Sequence, residues 1–177
     1  SGPPLHTFSP HESDWRSGDP TWQGGKGKAI IGAVNYLADK GINSQYFLTY
    51  NVDGGDGGDT YPWLSPGQKT RFDVSKLAQW EVVFEHMTSK GVMLHFVTQE
   101  TENDTVIDGG DLGRDRRLYY RELVARFGHH PAITWNLGEE TNLSTTQLKA
   151  AANYIRGLGP YESFLCLHNQ LNETDST

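Results

Sequence analysis

The apolar residues of this chain switch spacing four times, always in the same order, and that switch limits the folds open to it. Ile30, Val34 and Leu37 fall at helical spacing and Gly41 follows as a stop, after which residues 42–51 read as a strand. Asp73 stands at an N-cap position before the stripe Val74, Leu77, Trp80, Phe84 and Met87, and Gly91 closes that helix ahead of a strand over 92–99. Residues 114–127 alternate charge and bulk at helical spacing, Pro131 blocks continuation, and 132–138 form the next strand. Ser144 and Gln147 have capping-box spacing before Leu148, Ala151 and Ile155, and 163–167 make a last short strand. Strands that alternate with single helices build a parallel sheet wrapped by helices, because parallel neighbours need a long crossover. An open doubly wound sheet and a (β/α)8 barrel both satisfy that rule.

The polar residues separate the two. Tyr50-Asn51, Gln99-Glu100, Glu139-Glu140 and His168-Asn169 all stand at carboxyl ends of predicted strands, and in a barrel those ends converge on one mouth. An open sheet favours a Gly-rich phosphate turn, and no G-x-G-x-x-G or Walker sequence lies between a strand and a helix here. The expected fold is therefore an α/β (β/α)8 TIM barrel, incomplete over residues 1–177, with 1–25 an irregular Pro-, Gly- and His-rich entry segment. Strands at both ends of a half-barrel would expose unpaired backbone, so further barrel segments of the same protein are expected on both sides.

Composition removes several function classes. A net charge of -7 argues against a nucleic-acid partner, which calls for a basic face. Cys166 is the single cysteine, so neither an intrachain disulfide nor a cysteine cluster for zinc can form. No apolar stretch approaches the roughly 18 residues of a membrane span, and the Ser1-Gly2-Pro3-Pro4 start lacks the regions of a signal peptide.

The sharpest local signal is Ile133-Thr134-Trp135-Asn136-Leu137-Gly138-Glu139-Glu140-Thr141-Asn142. Alternation puts Thr134, Asn136, Gly138 and Glu140 on the face toward the barrel axis, and Glu139 on the other. Adjacent acids in an enclosed mouth repel, which raises the proton affinity of one of them, as a general acid requires. Gln99, Glu100 and Glu102 have the paired donors and acceptors that suit sugar hydroxyls, with ion pairs to Arg114, Arg116 or Arg117 as the competing fate. Tyr50, Asn51 and His168 occupy equivalent strand ends, whereas His95 is mid-strand and reads as a core histidine. Asp53, Asp56 and Asp59, among four glycines, offer hard oxygen ligands for a structural calcium, although their spacing does not match an EF-hand. Otherwise that loop is an edge of the cleft, with Trp63 as a platform on which a sugar ring stacks. His129 and His130 belong at the opposite end, and their adjacency is expected to point them apart, which argues against a metal shared between them.

The run Trp135 to Thr141 resembles the fourth-strand pattern of clan A glycoside hydrolases, in which Trp, a spacer, an apolar residue and a spacer precede Asn-Glu-Pro. On that register Glu140 takes the acid/base place, beside Glu139. The chain departs by carrying Glu139 in place of Asn and Thr141 in place of Pro, which leaves open the hydrogen bond that Asn makes to the sugar 2-hydroxyl. Gly32-Ala33-Val34-Asn35-Tyr36-Leu37, Phe72-Asp73-Val74-Ser75-Lys76-Leu77, Gln99-Glu100-Thr101-Glu102-Asn103-Asp104 and the stretch 120–128 look like a group of bacterial secreted glycoside hydrolases. Those proteins carry a β-sandwich domain before the barrel and a domain assigned to collagen binding after it. The resemblance implies a retaining glycosidase of polysaccharides or oligosaccharides that needs no cofactor, located extracellularly or in the periplasm. Its nucleophile would come from a later strand, so residues 1–177 alone are expected to be inactive. A carbohydrate-binding barrel without catalysis is the alternative from another class. A metal-dependent barrel hydrolase is a third, for which His168 is the one well-placed ligand.

Overall fold

The computed structural model describes residues 9–55, 58–159 and 161–168. Four helices and four strands follow one another in the expected order: α1 (Lys28–Asp39), β1 (Ser44–Leu48), α2 (Val74–Ser89), β2 (Met93–Val97), α3 (Arg114–Phe127), β3 (Ile133–Asn136), α4 (Thr145–Leu158) and β4 (Phe164–Cys166). All strand pairs are parallel and the sheet order is β1-β2-β3-β4. Each crossover therefore lands its strand beside the previous one, as successive units of a barrel do.

Local chemistry accounts for the helix ends. The Asp73 carboxylate accepts from the Lys76 amide at 3.0 Å, and Ser144 with Gln147 closes a reciprocal capping box on α4. The parallel register lines up Phe47, Phe96, Trp135 and Leu165 across the sheet. The first three are buried, and Phe84 of α2 packs on Phe47, Phe96 and Phe127 with ring centroids 4.9 to 5.4 Å apart. This aromatic layer joins the sheet to its helices, and truncating Phe84 to Ala would cost about 3–5 kcal/mol. The other face of the sheet is more open: Tyr46, His95 and Cys166 are partly buried and Phe164 is exposed.

The entry segment is more ordered than its composition implied. Ser9–Asp14 is a 3-10 helix that lies against α1 so closely that a Cβ on Gly32 would sit 1.9 Å from the His11 carbonyl oxygen. Asn35 secures the contact by donating to the Asp14 carbonyl and the Asp19 carboxylate. Among the described residues no helix is long and apolar enough to cross a membrane.

Candidate active site

Backbone pairing continues past the regular strands and sets the site. The Glu100 amide donates to the Tyr50 carbonyl at 3.1 Å, the Glu139 amide to that of Gln99 at 2.9 Å, and the His168 amide to that of Gly138 at 3.3 Å. Carboxyl ends of all four strands are thus tied side by side, with Glu100 and Glu139 bridged as parallel neighbours.

Strand alternation does not extend to the two glutamates, which corrects the expected orientation of Glu139 and Glu140. β3 ends at Asn136, whose side-chain oxygen accepts from the Gly138 amide at 3.1 Å and turns the chain. Glu139, expected to face away, is 4% exposed and lies next to Glu100; its Oε1 is 4.0 Å from Nδ1 of His168. Glu140, expected on the inward face of a regular strand, is exposed and takes a left-handed φ of +48°. Such a conformation costs a non-glycine residue of order 1–3 kcal/mol and persists only where its surroundings hold it. Asp104 supplies that hold: its carboxylate accepts from the Thr141 hydroxyl at 2.8 Å and the Asn142 amide at 2.7 Å.

Desolvation and the neighbouring Glu139 charge push the Glu100 carboxyl up to about 8. Burial, then the Glu139 charge, also raises the Tyr46 phenol. Both shifts favour the neutral forms of Glu100 and Tyr46. Several of its buried polar atoms have no hydrogen-bond partner among the described residues: Tyr46 Oη, both amide atoms of Asn51, Glu100 Oε2 and Glu139 Oε2. Unpaired groups of this kind are costly unless a ligand or water meets them. The loop after β1 closes over the cluster, and a Cβ on Gly55 (φ +71°) would meet Glu100 Cγ at 2.5 Å and Asn51 Oδ1 at 3.0 Å. Glu102, exposed at the rim, approaches Gly54 of the same loop.

Other expected site residues have structural duties instead. Trp63 is fully buried, with its ring 5.0 Å from Tyr50 and 5.3 Å from Tyr119, so it cannot act as a stacking platform. Tyr50 is also fully buried, and its hydroxyl accepts from Lys69 Nζ at 2.9 Å. The Gln99 amide is consumed by Asp104 and by Arg116, whose buried guanidinium also donates to the carbonyls of Asp104 and Ile107. Among Gln99, Glu100 and Glu102, Arg116 thus takes the amide and neither acid. Asn136 lies on the inner face, but its amide is 3.3 Å from Nε2 of His95 and also holds the Gly138 turn. His95 is only partly buried and joins Tyr46, Asn136 and Cys166 in one inner-face group, and burial lowers its proton affinity. Asp53 donates its amide to the Asp59 carboxylate at 3.2 Å, while Asp56 and Asn169 lie outside the described residues.

The sequence reading passed over Tyr46 and the role of Asp104, and it expected Arg116 only as an ion-pair partner of the nearby acids. Period-2 alternation from Phe47 could have found Tyr46, since its neighbour faces the helices. Nothing in the sequence couples Asp104 to Thr141, 37 residues on.

No family model matches the sequence, and no curated protein is similar to it. Solved structures do resemble it. A glycoside hydrolase family 5 protein from Bacteroides vulgatus superposes with a TM-score of 0.62 at 16% identity, over 84% of this chain and 34% of that one. An endoglucanase from Pseudomonas stutzeri superposes with a TM-score of 0.56 at 14% identity, over 77% of this chain and 42% of that one. The fold is an incomplete (β/α)8 barrel. A third solved structure, a glycoside hydrolase, superposes with a TM-score of 0.59 at 16% identity, over 79% of this chain and 32% of that one. The chain thus spans between 32% and 42% of the length of these three structures. The carboxylate cluster accordingly lies at the carboxyl ends of barrel strands, the end at which barrel active sites form.

Proposed function

We propose that this chain is part of a retaining glycoside hydrolase acting on a polysaccharide or oligosaccharide. The observation that carries the reading is the pairing of two acids at the end of β3: Glu139, buried against Glu100, and Glu140, exposed and held in a strained turn. A general acid must reach the leaving oxygen, which suits Glu140. A nucleophilic carboxylate about 5 Å away, from a later strand, displaces that oxygen to form the glycosyl intermediate, and deprotonated Glu140 then activates the water that releases the sugar and frees the nucleophile. Glu139, Asn51 and Tyr46 provide the unmatched hydrogen-bonding atoms to receive sugar hydroxyls, and Glu102 and His168 stand at the rim. An extracellular or periplasmic location and flanking β-sandwich and collagen-binding domains belong to the same reading, as does a structural calcium on Asp53, Asp56 and Asp59.

Burial of Glu139 beside Glu100 favours a second assignment, in which Glu139 is the proton donor. Turnover by the complete protein, measured on glycans and on activated aryl glycosides, separates the two. Glu140→Gln is expected to lower turnover of glycans by about 10²- to 10⁴-fold, less for aryl glycosides, because the amide keeps the shape but cannot donate the proton. Loss confined to Glu139→Gln would transfer the role to Glu139. Sugar binding with no turnover in the unsubstituted protein would instead identify a carbohydrate-binding barrel.

A further inference from the structure

We propose that Glu81, His129 and His130 form a site for zinc(II) at the end of the sheet opposite the carboxylate cluster. Neighbouring residues point apart on a strand, but His129 and His130 lie in the turn between α3 and β3, ahead of Pro131, where that rule does not apply. Their rings are 4.4 Å apart between centroids, and both turn toward one carboxylate of α2. Glu81 Oε1 is 3.1 Å from Nε2 of His129 and 3.4 Å from Nε2 of His130.

One ligand atom from each residue lies within 4.8 Å of the others, and this is the one such group of three or more among the described residues. Zinc bonds of about 2.0–2.1 Å in a tetrahedron separate neighbouring ligand atoms by about 3.3 Å. Both carboxylate-to-imidazole distances already match that edge. His130 has the support a ligand histidine needs: it is 3% exposed, and Nδ1 is 2.9 Å from the Thr88 hydroxyl. When Nδ1–H donates to that hydroxyl, the Nε2 lone pair is left for a metal, and the outer contact fixes the ring orientation. Two imidazoles and one carboxylate suit zinc better than calcium or magnesium, which prefer oxygen alone. Three protein ligands leave one coordination position open, and a cavity of about 570 Å³ lined by His129, His130, Glu162 and Phe164 lies beside it. Metal there would tie α2 to the turn that leads into β3, independently of the glycosidase reading.

Calorimetric titration of the purified full chain with zinc chloride tests the site, with calcium and magnesium chloride as controls. One zinc per chain at micromolar affinity or tighter is expected, with a Tm rise of about 5–11 °C at a hundredfold excess over Kd. Glu81→Gln and His129→Ala, both at least partly exposed positions, should each weaken binding more than 100-fold, and Thr88→Val about 10- to 100-fold. Cobalt(II) should give the visible absorption of a tetrahedral complex in the unsubstituted chain, a readout independent of whether any variant folds. Absence of zinc binding below millimolar concentration, zinc binding unchanged in both ligand variants, or an octahedral cobalt spectrum would each overturn the proposal. The three residues would then be a carboxylate–imidazole hydrogen-bonded group.

Discussion

Asp104 holds the glutamate turn, and its removal has a calculable effect. Its carboxylate is 4% exposed and accepts three hydrogen bonds, from Gln99 Nε2, the Thr141 hydroxyl and the Asn142 amide. Hydrogen bonds to a charged group contribute about 1.5–3 kcal/mol each, and a buried donor left unsatisfied costs about 1–3 kcal/mol. The three share one acceptor and do not add. Arg116, 1% exposed and bonded to the same Gln99 side chain, would also lose the nearby negative charge. Loss of one shared buried acceptor for three donors makes the expected destabilisation of Asp104→Ala about 2–5 kcal/mol. Asp104→Asn keeps the shape and one acceptor oxygen, so a loss of about 1–3 kcal/mol is expected. Urea denaturation followed by circular dichroism measures both, provided the m-value is unchanged. A loss below about 1 kcal/mol for Asp104→Ala would refute the view that this carboxylate holds the strained Glu140 turn.

Stability should depend on pH through Glu100, whose pKa is raised from 4.5 to about 8. Between those values the folded chain binds more protons than the unfolded one, so stability falls as pH rises through the window; Glu100→Gln should flatten the slope of Tm between pH 5 and pH 8, and an unchanged slope would count against the buried pair. Calcium on the acidic loop should raise Tm, and the double variant Asp53→Asn/Asp59→Asn should abolish the rise; equal Tm with calcium and with chelator would leave the loop a cleft edge only.

Element order was legible in the sequence because helix and strand write different apolar periods into the chain, and caps such as Asp73 and Ser144 act within four residues. The parallel, sequential sheet followed from the lengths of the connections. Those same local rules located Glu100 and Glu139-Glu140 at strand ends. Side-chain destinations beyond the last regular hydrogen bond were not legible, because alternation holds only while the strand holds. At Asn136 the chain turns onto its own side chain, and from there tertiary contacts decide: Asp104, from the loop after β2, fixes Thr141 and so the turn that exposes Glu140 and buries Glu139. Composition also misled for Trp63 and Tyr50, since an aromatic residue in a Gly-rich loop has the same sequence signature whether it stacks on a sugar or fills the core beneath the loop. Only packing against Tyr119 of α3 decided that. His129 and His130 carried the same ambiguity: their convergence on Glu81 depends on how α2 lies across the turn, a long-range placement that no local spacing encodes.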